Sequence, residues 1–317
     1  MESIAFIFPG QGSQRVGMGT EFHQRAPDLA DTYYRTADEI LGFSLSDLCR
    51  NASAQTLRDT SITQPAVFLT SLVALELLRD HAVAPDVVAG HSLGEFTALV
   101  CAGALEWTDA LSLVRRRGEL MKTVNEKVPG TMAAVLGLEK TVVEAACSEA
   151  LVKTGEIVEV ANDNGPDQVV VSGQVRAVEE LIQIARSAGA RRVVPLGVGA
   201  PFHCSLLREI EEEFAEVLEG TDFRDPTIPV ISSVTAEPLS DAHDIIRILR
   251  RQLTAPVRWR ETVIRMSHGG AEKFVEVGPG RVLTGLCRTI LPTAQTYTTA
   301  TVDECEKTTA ALAKAEL

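Results

Sequence analysis

The sequence lacks the closely spaced cysteines that hold metals or catalyse redox chemistry. Its six cysteines are scattered over 317 residues without a single Cys-x-x-Cys pair. Structural zinc sites and dithiol redox motifs use such pairs, so we expect no bound metal. Scattered cysteines are typical of proteins that keep their thiols reduced, and the sequence therefore favours a cytoplasmic location.

Long apolar spans and an excess of positive charge are missing as well. We find no apolar span of 18 residues and so expect no membrane crossing. Residues 1–6 lack the basic start of a signal peptide and predict a first strand instead. The formal net charge of −13 disfavours nucleic acid as a partner, because the field of the protein repels phosphates.

The remaining composition is that of an ordinary globular α/β protein, with 45% hydrophobic and 23% charged residues. Apolar runs in residues 4–8, 87–89, 228–232 and 273–277 predict buried parallel strands that alternate with helices. One of these helices is predicted at Ala66–Arg79, with Pro65 in its first turn. A loosely packed helix is expected after Asp303.

A second pattern interrupts this one after Pro129-Gly130. The periodicity from Thr131 to Leu196 predicts a βαββαβ unit of the size of a ferredoxin-like domain. We therefore predict a small subdomain of residues 130–197, inserted into a larger α/β subdomain of residues 1–129 and 198–317.

The most informative motif is Gly90-His-Ser-Leu-Gly94, which lies between a predicted strand and a predicted helix. Glycines on both sides of Ser92 admit a tight turn that exposes the serine, and the helix that follows offers N–H groups to an oxyanion. Such a match also arises by chance, but the strand before it and the helix after it favour a nucleophile.

A serine hydroxyl needs a base to react at neutral pH, and in enzymes of this kind the base is a histidine. His91 adjoins Ser92 on a sharp turn, where neighbouring side chains point apart. His203 lies on a loop that returns from the small subdomain, and we favour it over the other candidates: His23, His81, His243 and His268. No carboxylate is convincingly placed to complete a triad, so a carbonyl that holds the ring N–H would give a dyad.

Two further features are weaker. Gly10-Gln-Gly-Ser-Gln14 does not fit a phosphate loop, because position 15 is Arg15, but it is compatible with a second oxyanion donor or with a plain turn. Arg115, Arg116 and Arg117 occupy one predicted helix and cannot all face the same way. An inward arginine near Ser92 would bind a carboxylate through its planar fork, and at least one of the three is solvated.

Taken together, the motifs resemble the malonyl-CoA:acyl-carrier-protein transacylases and the acyltransferase domains of fatty-acid and polyketide synthases. The resemblance covers nearly the whole chain and implies an α/β-hydrolase-like body with a parallel sheet and an inserted ferredoxin-like subdomain. Its motifs are, in order, Phe8-Pro-Gly-Gln-Gly-Ser-Gln14, Gly90-His-Ser-Leu-Gly-Glu95, Arg117, Asn162-Asp-Asn164 with residues 168–173, Pro201-Phe-His203, residues 252–259 and residues 276–280.

The resemblance implies catalytic roles for five residues. Ser92 would carry the acyl group as an ester, and His203 would be its base. The carbonyl of Gln252 would orient that histidine, which explains the missing acid. The backbone N–H groups of Gln11 and Leu93 would form the oxyanion hole.

The resemblance also implies the residues that bind the substrate. Arg117 would pair with the free carboxylate of a malonyl group. Phe202, just before the histidine, accompanies selection of malonyl over methylmalonyl, because its ring fills the space of a 2-methyl branch. His91 and Asn162 are further candidates.

The reaction implied is a ping-pong transfer without a resident cofactor. An acyl-coenzyme A would be the donor, and the phosphopantetheine thiol of an acyl carrier protein the acceptor. A free-standing polyketide-pathway enzyme that moves another acyl group between carriers is the main alternative. An editing hydrolase gains nothing from Arg117 with neutral acyl chains, and a non-catalytic binding module would tolerate loss of Ser92 or His203.

Carrier proteins are usually acidic, and this chain is acidic too, so we expect a local basic face near the cleft between the subdomains. The candidate residues are Arg191, Arg192, Arg247, Arg250 and Arg251.

Overall fold

The computed structural model describes residues 3–314 and contains two separate sheets. The strands are β1 (Ser3–Phe8), β2 (Val87–Gly90), β3 (Gly130–Leu136), β4 (Val158–Gly165), β5 (Gln168–Gln174), β6 (Arg192–Leu196), β7 (Val230–Ile231), β8 (Ala271–Glu276) and β9 (Gln295–Thr298). The helices are α1 (Thr20–Arg25), α2 (Pro27–Leu41), α3 (Leu45–Asn51), α4 (Thr60–Asp80), α5 (Gly94–Cys101), α6 (Trp107–Lys127), α7 (Lys140–Thr154), α8 (Val175–Ser187), α9 (Glu211–Glu219), α10 (Ala242–Gln252), α11 (Trp259–His268), α12 (Val282–Ile290) and α13 (Val302–Lys314).

The larger sheet is parallel, with the strand order β7-β2-β1-β8-β9. Its central strands are buried, as their apolar sequences predict. Strands β1 and β2 are neighbours, and Phe8 lies opposite Gly90 at their carboxyl ends. The loop after β1 and the turn after β2 therefore meet at one edge of the sheet, which is where open α/β sheets bind their ligands.

The smaller sheet is antiparallel, with the order β4-β5-β3-β6. Its strands all come from residues 130–196, and α7 and α8 pack against it around a separate apolar core. This is the order of a ferredoxin-like βαββαβ unit. The α/β fold class with a parallel sheet and a second antiparallel unit is confirmed.

Helix α4 begins six residues before the predicted start at Ala66. The Asp59 side chain caps it by accepting from Ser61 N at 3.0 Å, and Pro65 lies inside the helix instead of in its first turn. Proline has no N–H for the carbonyl four residues before it. Arg115 of α6 compensates, because its Nη1 donates to that carbonyl, Ser61 O, at 2.7 Å.

The same helix corrects the expectation that no 18-residue apolar span exists. Among the described residues, Thr60–Asp80 is long and apolar enough to cross a membrane by length and composition. Uncharged threonine, serine and glutamine side chains interrupt its apolar runs, which is why the span is not obvious in the sequence. Most of the helix is buried in the core of the protein, against α2, α5 and α6.

The carboxyl-terminal part of the chain is more ordered than predicted. Strand β9 was not expected, and it adds a parallel edge to the larger sheet beside β8. Helix α13 is not loosely packed, because Val302, Cys305 and Leu312 are buried. Residues 1–2 of the predicted first strand and the last residues of the predicted terminal helix, 315–317, lie outside the described residues.

All six cysteines are free thiols, and each of them is buried. They lie far apart in the sequence, on helices α3, α5, α7, α12 and α13 and next to His203. Within residues 3–314 we find no group of three or more His, Cys, Asp or Glu side chains arranged to hold a metal ion.

Candidate active site

Ser92 lies on the turn between β2 and α5, in left-handed backbone with φ +54°. A β-carbon at Gly90 would collide with the backbone of Gly94, and one at Gly94 would collide with the carbonyl of Phe8. Both glycines are therefore required by close backbone approach, as the motif predicts. The turn leaves the Ser92 side chain at the carboxyl edge of the parallel sheet.

His203 reaches Ser92 from the loop that leads back from the smaller sheet. Its Nε2 lies 2.7 Å from Ser92 Oγ, and its Nδ1 lies 2.9 Å from the carbonyl oxygen of Gln252. A carbonyl only accepts, so Nδ1 carries the hydrogen and Nε2 presents its lone pair to the serine. Burial, with the positive charge of Arg117 as a second cause, lowers the pKa of His203 to about 3. The imidazole is thus neutral at pH 7.

Arg117 is the one arginine of its triplet that points into the site, and only 1% of it is exposed. Its Nη1 donates to Gln64 Oε1 at 2.7 Å. Its Nη2 donates to Gln252 Oε1 at 3.0 Å and to Ser92 Oγ at 3.1 Å. Burial lowers the pKa of Arg117 to about 9, which leaves the guanidinium charged at neutral pH. A fixed cation therefore lies next to the serine hydroxyl.

The other two arginines of the triplet have different surroundings. Arg116 is half exposed and pairs with Glu213 on the surface. Arg115 pairs with Glu119 at 2.7 Å, and it also donates to Ser61 O, the carbonyl of α4 that Pro65 leaves without a donor.

A cavity of about 200 Å³ opens above the serine, between the edge of the parallel sheet and the antiparallel sheet. Leu93 does not line the cavity; it directly precedes the first residue of α5. Of the candidate catalytic and substrate-binding residues, those that line the cavity are Gln11, His91, Ser92, Asn162, Phe202 and His203, whereas Arg117 and Gln252 do not line it. Side chains from β3, β5 and α12, among them Met132, Val170 and Leu286, complete an apolar wall.

Comparison with known proteins identifies this arrangement. Residues 5–310 match the family of the acyl transferase domain. The malonyl CoA-acyl carrier protein transacylase of Bacillus subtilis is 42% identical over 293 residues, which cover 92% of this chain and 91% of that protein. The chain belongs to the malonyl-CoA:acyl-carrier-protein transacylase family. The transacylase of Escherichia coli K12 is 40% identical over 295 residues, 92% of this chain and 94% of that protein.

Solved transacylase structures share the whole fold. The malonyl CoA-acyl carrier protein transacylase from Coxiella burnetii superposes with a TM-score of 0.93 at 33% identity and covers 98% of this chain and 97% of that one. A malonyl-transacylase solved in complex with its type II polyketide acyl-carrier protein gives a TM-score of 0.92 at 36% identity, over 97% of this chain and 99% of that one.

Some contacts in this transacylase site were not foreseen from the sequence. His91 Nε2 lies 2.9 Å from Oδ1 of Asn164, so the ring of His91 is held by the second asparagine of the motif. Residues 162 and 164 are two apart on β4, and the two-residue period of a strand could have placed both on the cavity side. Burial lowers the pKa of His91, which also packs against Trp259.

Three buried polar side chains around the site also escaped prediction. Thr60 Oγ1 donates to Gln11 Oε1 at 2.7 Å, and Gln64 Nε2 donates to Thr60 Oγ1 at 2.9 Å. Glu95 is fully buried beside Gln252. Glu95 ends the Gly90–Glu95 motif, whereas Thr60 and Gln64 lie before the predicted start of their helix and carry no signal of their own in the sequence.

Asp163 and Asp167, two acidic residues between Ser92 and His203 in the sequence, are engaged elsewhere. Asp167 pairs with Arg191, and Asp163 approaches Lys140 Nζ at 3.9 Å. Neither lines the cavity as far as the described residues show.

Proposed function

We propose that this protein transfers a malonyl group from malonyl-coenzyme A to the phosphopantetheine thiol of an acyl carrier protein. The observation that carries the proposal is the position of Ser92 Oγ, 2.7 Å from a neutral imidazole and 3.1 Å from a buried guanidinium. The activity in the names of the relatives described above supports it, as does the solved complex of one of them with an acyl-carrier protein.

In the first half-reaction, Ser92 Oγ attacks the thioester carbonyl carbon while His203 Nε2 takes the hydroxyl proton. The tetrahedral oxyanion accepts hydrogen bonds from the backbone N–H groups of Gln11 and Leu93. When the oxyanion collapses, the carbon–sulfur bond breaks and the imidazolium returns its proton to the departing coenzyme A thiolate. Ser92 now carries the malonyl group as an ester.

The second half-reaction repeats these steps with the carrier protein. The phosphopantetheine thiol gives its proton to His203 and attacks the ester carbonyl. The new carbon–sulfur bond forms, the Ser92–acyl bond breaks, and the proton returns to Ser92 Oγ. The Gln252 carbonyl keeps the imidazole oriented throughout, because Nδ1–H donates to it in both protonation states. A thioester is consumed and another is formed, so the transfer is close to balanced.

Selection of the acyl group would depend on charge and on shape. The carboxylate of a malonyl ester can accept from Arg117, which exchanges its bond to Ser92 Oγ for an ion pair. Phe202 would exclude a 2-methyl branch from the cavity that it lines. Asn162 and His91 line the same cavity and complete the proposed substrate site.

We also propose that residues 130–197 form the small subdomain and residues 1–129 with 198–317 the catalytic subdomain. These boundaries are supported because all four strands of the antiparallel sheet come from residues 130–196. The donor and acceptor are substrates, so the reaction needs no resident cofactor. Free buried thiols are compatible with the expected cytoplasmic location.

A second candidate function is a free-standing acyltransferase that moves a different acyl group between carrier proteins in polyketide biosynthesis. It would use the same serine and histidine, and the two functions differ only in the acyl group. The guanidinium at 3.1 Å from the nucleophile favours an acyl group with a free carboxylate. An editing hydrolase for neutral acyl chains has no use for that cation.

The test is incubation with a panel of acyl-coenzyme A thioesters, followed by intact mass. We expect the mass of a malonyl group on the wild-type chain and much less adduct from acetyl or methylmalonyl thioesters. Ser92→Ala should remove the adduct, whereas Ser112→Ala, at an exposed serine on α6, should keep it. Preferential loading of a neutral acyl group, or a malonyl adduct that survives in Ser92→Ala, would contradict the proposal.

A further inference from the structure

Glu95 is a buried carboxylate that the proposed reaction does not use. It lies three residues after Ser92, in the first turn of α5, and none of its surface is exposed. Its Oε2 accepts two hydrogen bonds, from Ser233 Oγ and from Gln252 Nε2, each at 2.7 Å. Its Oε1 is buried and has no partner among the described residues. A carboxylate in such surroundings is costly to bury, so its contacts call for an explanation.

The contact with Gln252 connects Glu95 to three residues of the site: Ser92, His203 and Arg117. The amide oxygen of Gln252 accepts from Arg117 at 3.0 Å, and its backbone oxygen accepts from His203 at 2.9 Å. Its amide nitrogen donates to Glu95 and, at 3.1 Å, to the carbonyl of Ser92. Gln252 therefore contacts the backbone of Ser92, the imidazole of His203 and the guanidinium of Arg117, and Glu95 holds the nitrogen end of its side chain.

The hydrogen-bonding chemistry of Glu95 and Arg117 allows only one orientation of the Gln252 side-chain amide. A carboxylate only accepts hydrogen bonds, and a guanidinium only donates them. In the reverse orientation the amide NH₂ would face Arg117 and the amide oxygen would face Glu95, so that both contacts would become repulsive. Glu95 thus opposes rotation of the amide that Arg117 needs as an acceptor.

We propose that Glu95 is a positioning residue that acts through the Gln252 amide to hold the Arg117 guanidinium against the acyl group. The inference rests on the proposed function, since it assumes that Arg117 binds the substrate carboxylate. Loss of the contact would let the amide rotate, and the guanidinium would lose one of its two amide acceptors, the other being Gln64. Malonyl transfer uses Arg117 and acetyl transfer does not, so selectivity should fall.

Two single substitutions at Glu95 distinguish a positioning role from a role as a simple counter-charge to Arg117. Glu95→Gln removes the charge, but its amide oxygen can still accept from Ser233 and Gln252. Glu95→Asp keeps the charge, but its shorter side chain withdraws from Gln252. We expect the ratio of malonyl to acetyl kcat/KM to stay near the wild-type value in Glu95→Gln and to fall about tenfold in Glu95→Asp. The opposite order, or equal ratios in the two variants, would overturn the proposal.

A double-mutant cycle tests whether the effect passes through Gln252. Glu95→Met and Gln252→Met each remove one side of the contact, and the backbone carbonyl that faces His203 remains in both. We expect each single variant to lower the selectivity ratio and the double variant to lower it no further than Gln252→Met alone. Additive losses would mean that Glu95 acts independently of Gln252 and would overturn the proposal.

Glu276→Met is the matched control for loss of a buried carboxylate. Glu276 is also fully buried, and it too has one oxygen without a partner among the described residues. This variant should lower Tm but leave the selectivity ratio at the wild-type value, and a changed ratio would contradict a specific role for Glu95. Failure of the proposed function would show in the wild-type protein, which would form no malonyl ester. Failure of the present inference would show only in the Glu95 variants.

Discussion

The two side chains that meet at 2.7 Å both rise from left-handed backbone, with φ +54° at Ser92 and +56° at His203. This conformation costs a residue with a β-carbon about 1–2 kcal/mol. The surrounding turn imposes it, through bonds such as that from Glu95 N to Ser92 O at 3.0 Å. Backbone strain at two catalytic candidates is typical of sites that hold reacting groups in place.

A stability measurement on Ser92 can detect this strain. Ser92→Gly should be more stable than Ser92→Ala by about 1 kcal/mol, because only glycine adopts positive φ without a penalty. Both variants remove the hydroxyl and should be inactive, so the comparison isolates the backbone. Chemical denaturation gives the two free energies of unfolding, and equal values would contradict a strained turn.

Arg117 should decide between acyl groups. Arg117→Ala is expected to lower malonyl kcat/KM about a hundredfold more than acetyl kcat/KM. This factor corresponds to the loss of a buried ion pair that contributes about 3 kcal/mol. Arg116→Ala is the matched control on the same helix, because its half-exposed side chain pairs with Glu213 outside the site. An equal loss for both acyl groups would refute a carboxylate-binding role.

The pH dependence of acetyl transfer should report the state of His203. The neutral imidazole is the active base, and a lowered pKa keeps it neutral as the pH falls. We therefore expect kcat/KM to stay constant from about pH 7.5 down to about pH 5, where an ordinary histidine would already be protonated. In Arg117→Ala the loss of a nearby cation raises the pKa of His203, so the acidic decline should begin at a higher pH. A decline near pH 6.5 in the wild-type protein would contradict a buried neutral base.

At this scale, local motifs could be predicted and long-range contacts could not. Ser92 was predictable because a tight strand-to-helix turn leaves a glycine signature on both sides of it. His203 and Gln252 are 111 and 160 residues away from Ser92. The position of His203 at the return from the predicted small subdomain favoured it as the base, whereas only the family resemblance linked Gln252 to the site. Gln64 and Glu95 lie on apolar helices, and their partners become visible only when the helices are packed.

At the scale of elements, the contact between helices α4 and α6 positions the Arg117 guanidinium. A β-carbon at Gly118 would lie 2.6 Å from Thr60 O and 2.8 Å from Ser61 Cα, which are backbone atoms of the facing helix. The two helices can approach this closely only at a glycine. Arg117 and Gln64, one on each helix, form their 2.7 Å bond beside this contact.

Gly118→Ala should force the helices apart. We expect a loss of about 1–3 kcal/mol in the free energy of unfolding, the usual cost of overpacking, together with lower malonyl selectivity. Gly285→Ala is the control, because a β-carbon at that helical glycine in α12 meets only open space. It should stabilise the protein by about 0.5–1 kcal/mol, as alanine does in a helix. Thermal unfolding of the two variants in opposite directions would support this packing, and similar Tm shifts would contradict it.

Hydrophobic periodicity predicted most elements but not where α4 begins. The strands and helices of residues 130–196 follow their patterns within a few residues, because each has one buried face. Pro65 suggested a helix start, whereas the helix continues through it. The reason is tertiary: Arg115 of α6 supplies the donor that proline removes, and this contact has no signature within α4 itself.

At the scale of the whole molecule, the net negative charge is unfavourable for binding an acidic carrier protein. Three of the five arginines expected to form a basic docking face are paired with carboxylates, as Arg191 is with Asp167, Arg247 with Asp244 and Arg250 with Glu212. Arg192 and Arg251 are exposed and are the better candidates. Charge reversal at either should raise the KM for the carrier protein severalfold and leave coenzyme A kinetics unchanged. An unchanged carrier KM in both variants would remove them from the docking surface.

The position of one sheet relative to the other could not be predicted from residue patterns. Alternating strands and helices indicated a parallel sheet and an inserted unit, but not that the inserted unit covers the carboxyl edge beside Ser92. That placement depends on contacts such as the pairing of Asp163 N with Val257 O at 2.8 Å, between residues 94 positions apart.

The buried thiols give the folded protein an internal reporter of its own opening. A maleimide or disulfide reagent reacts with exposed thiolates, and burial raises the pKa of Cys49, Cys101, Cys147 and Cys305 to about 12. Labelling under native conditions should therefore wait for each segment to unfold. Because the six sulfurs are spread from α3 to α13, the order in which they acquire label would map which parts of the chain open first.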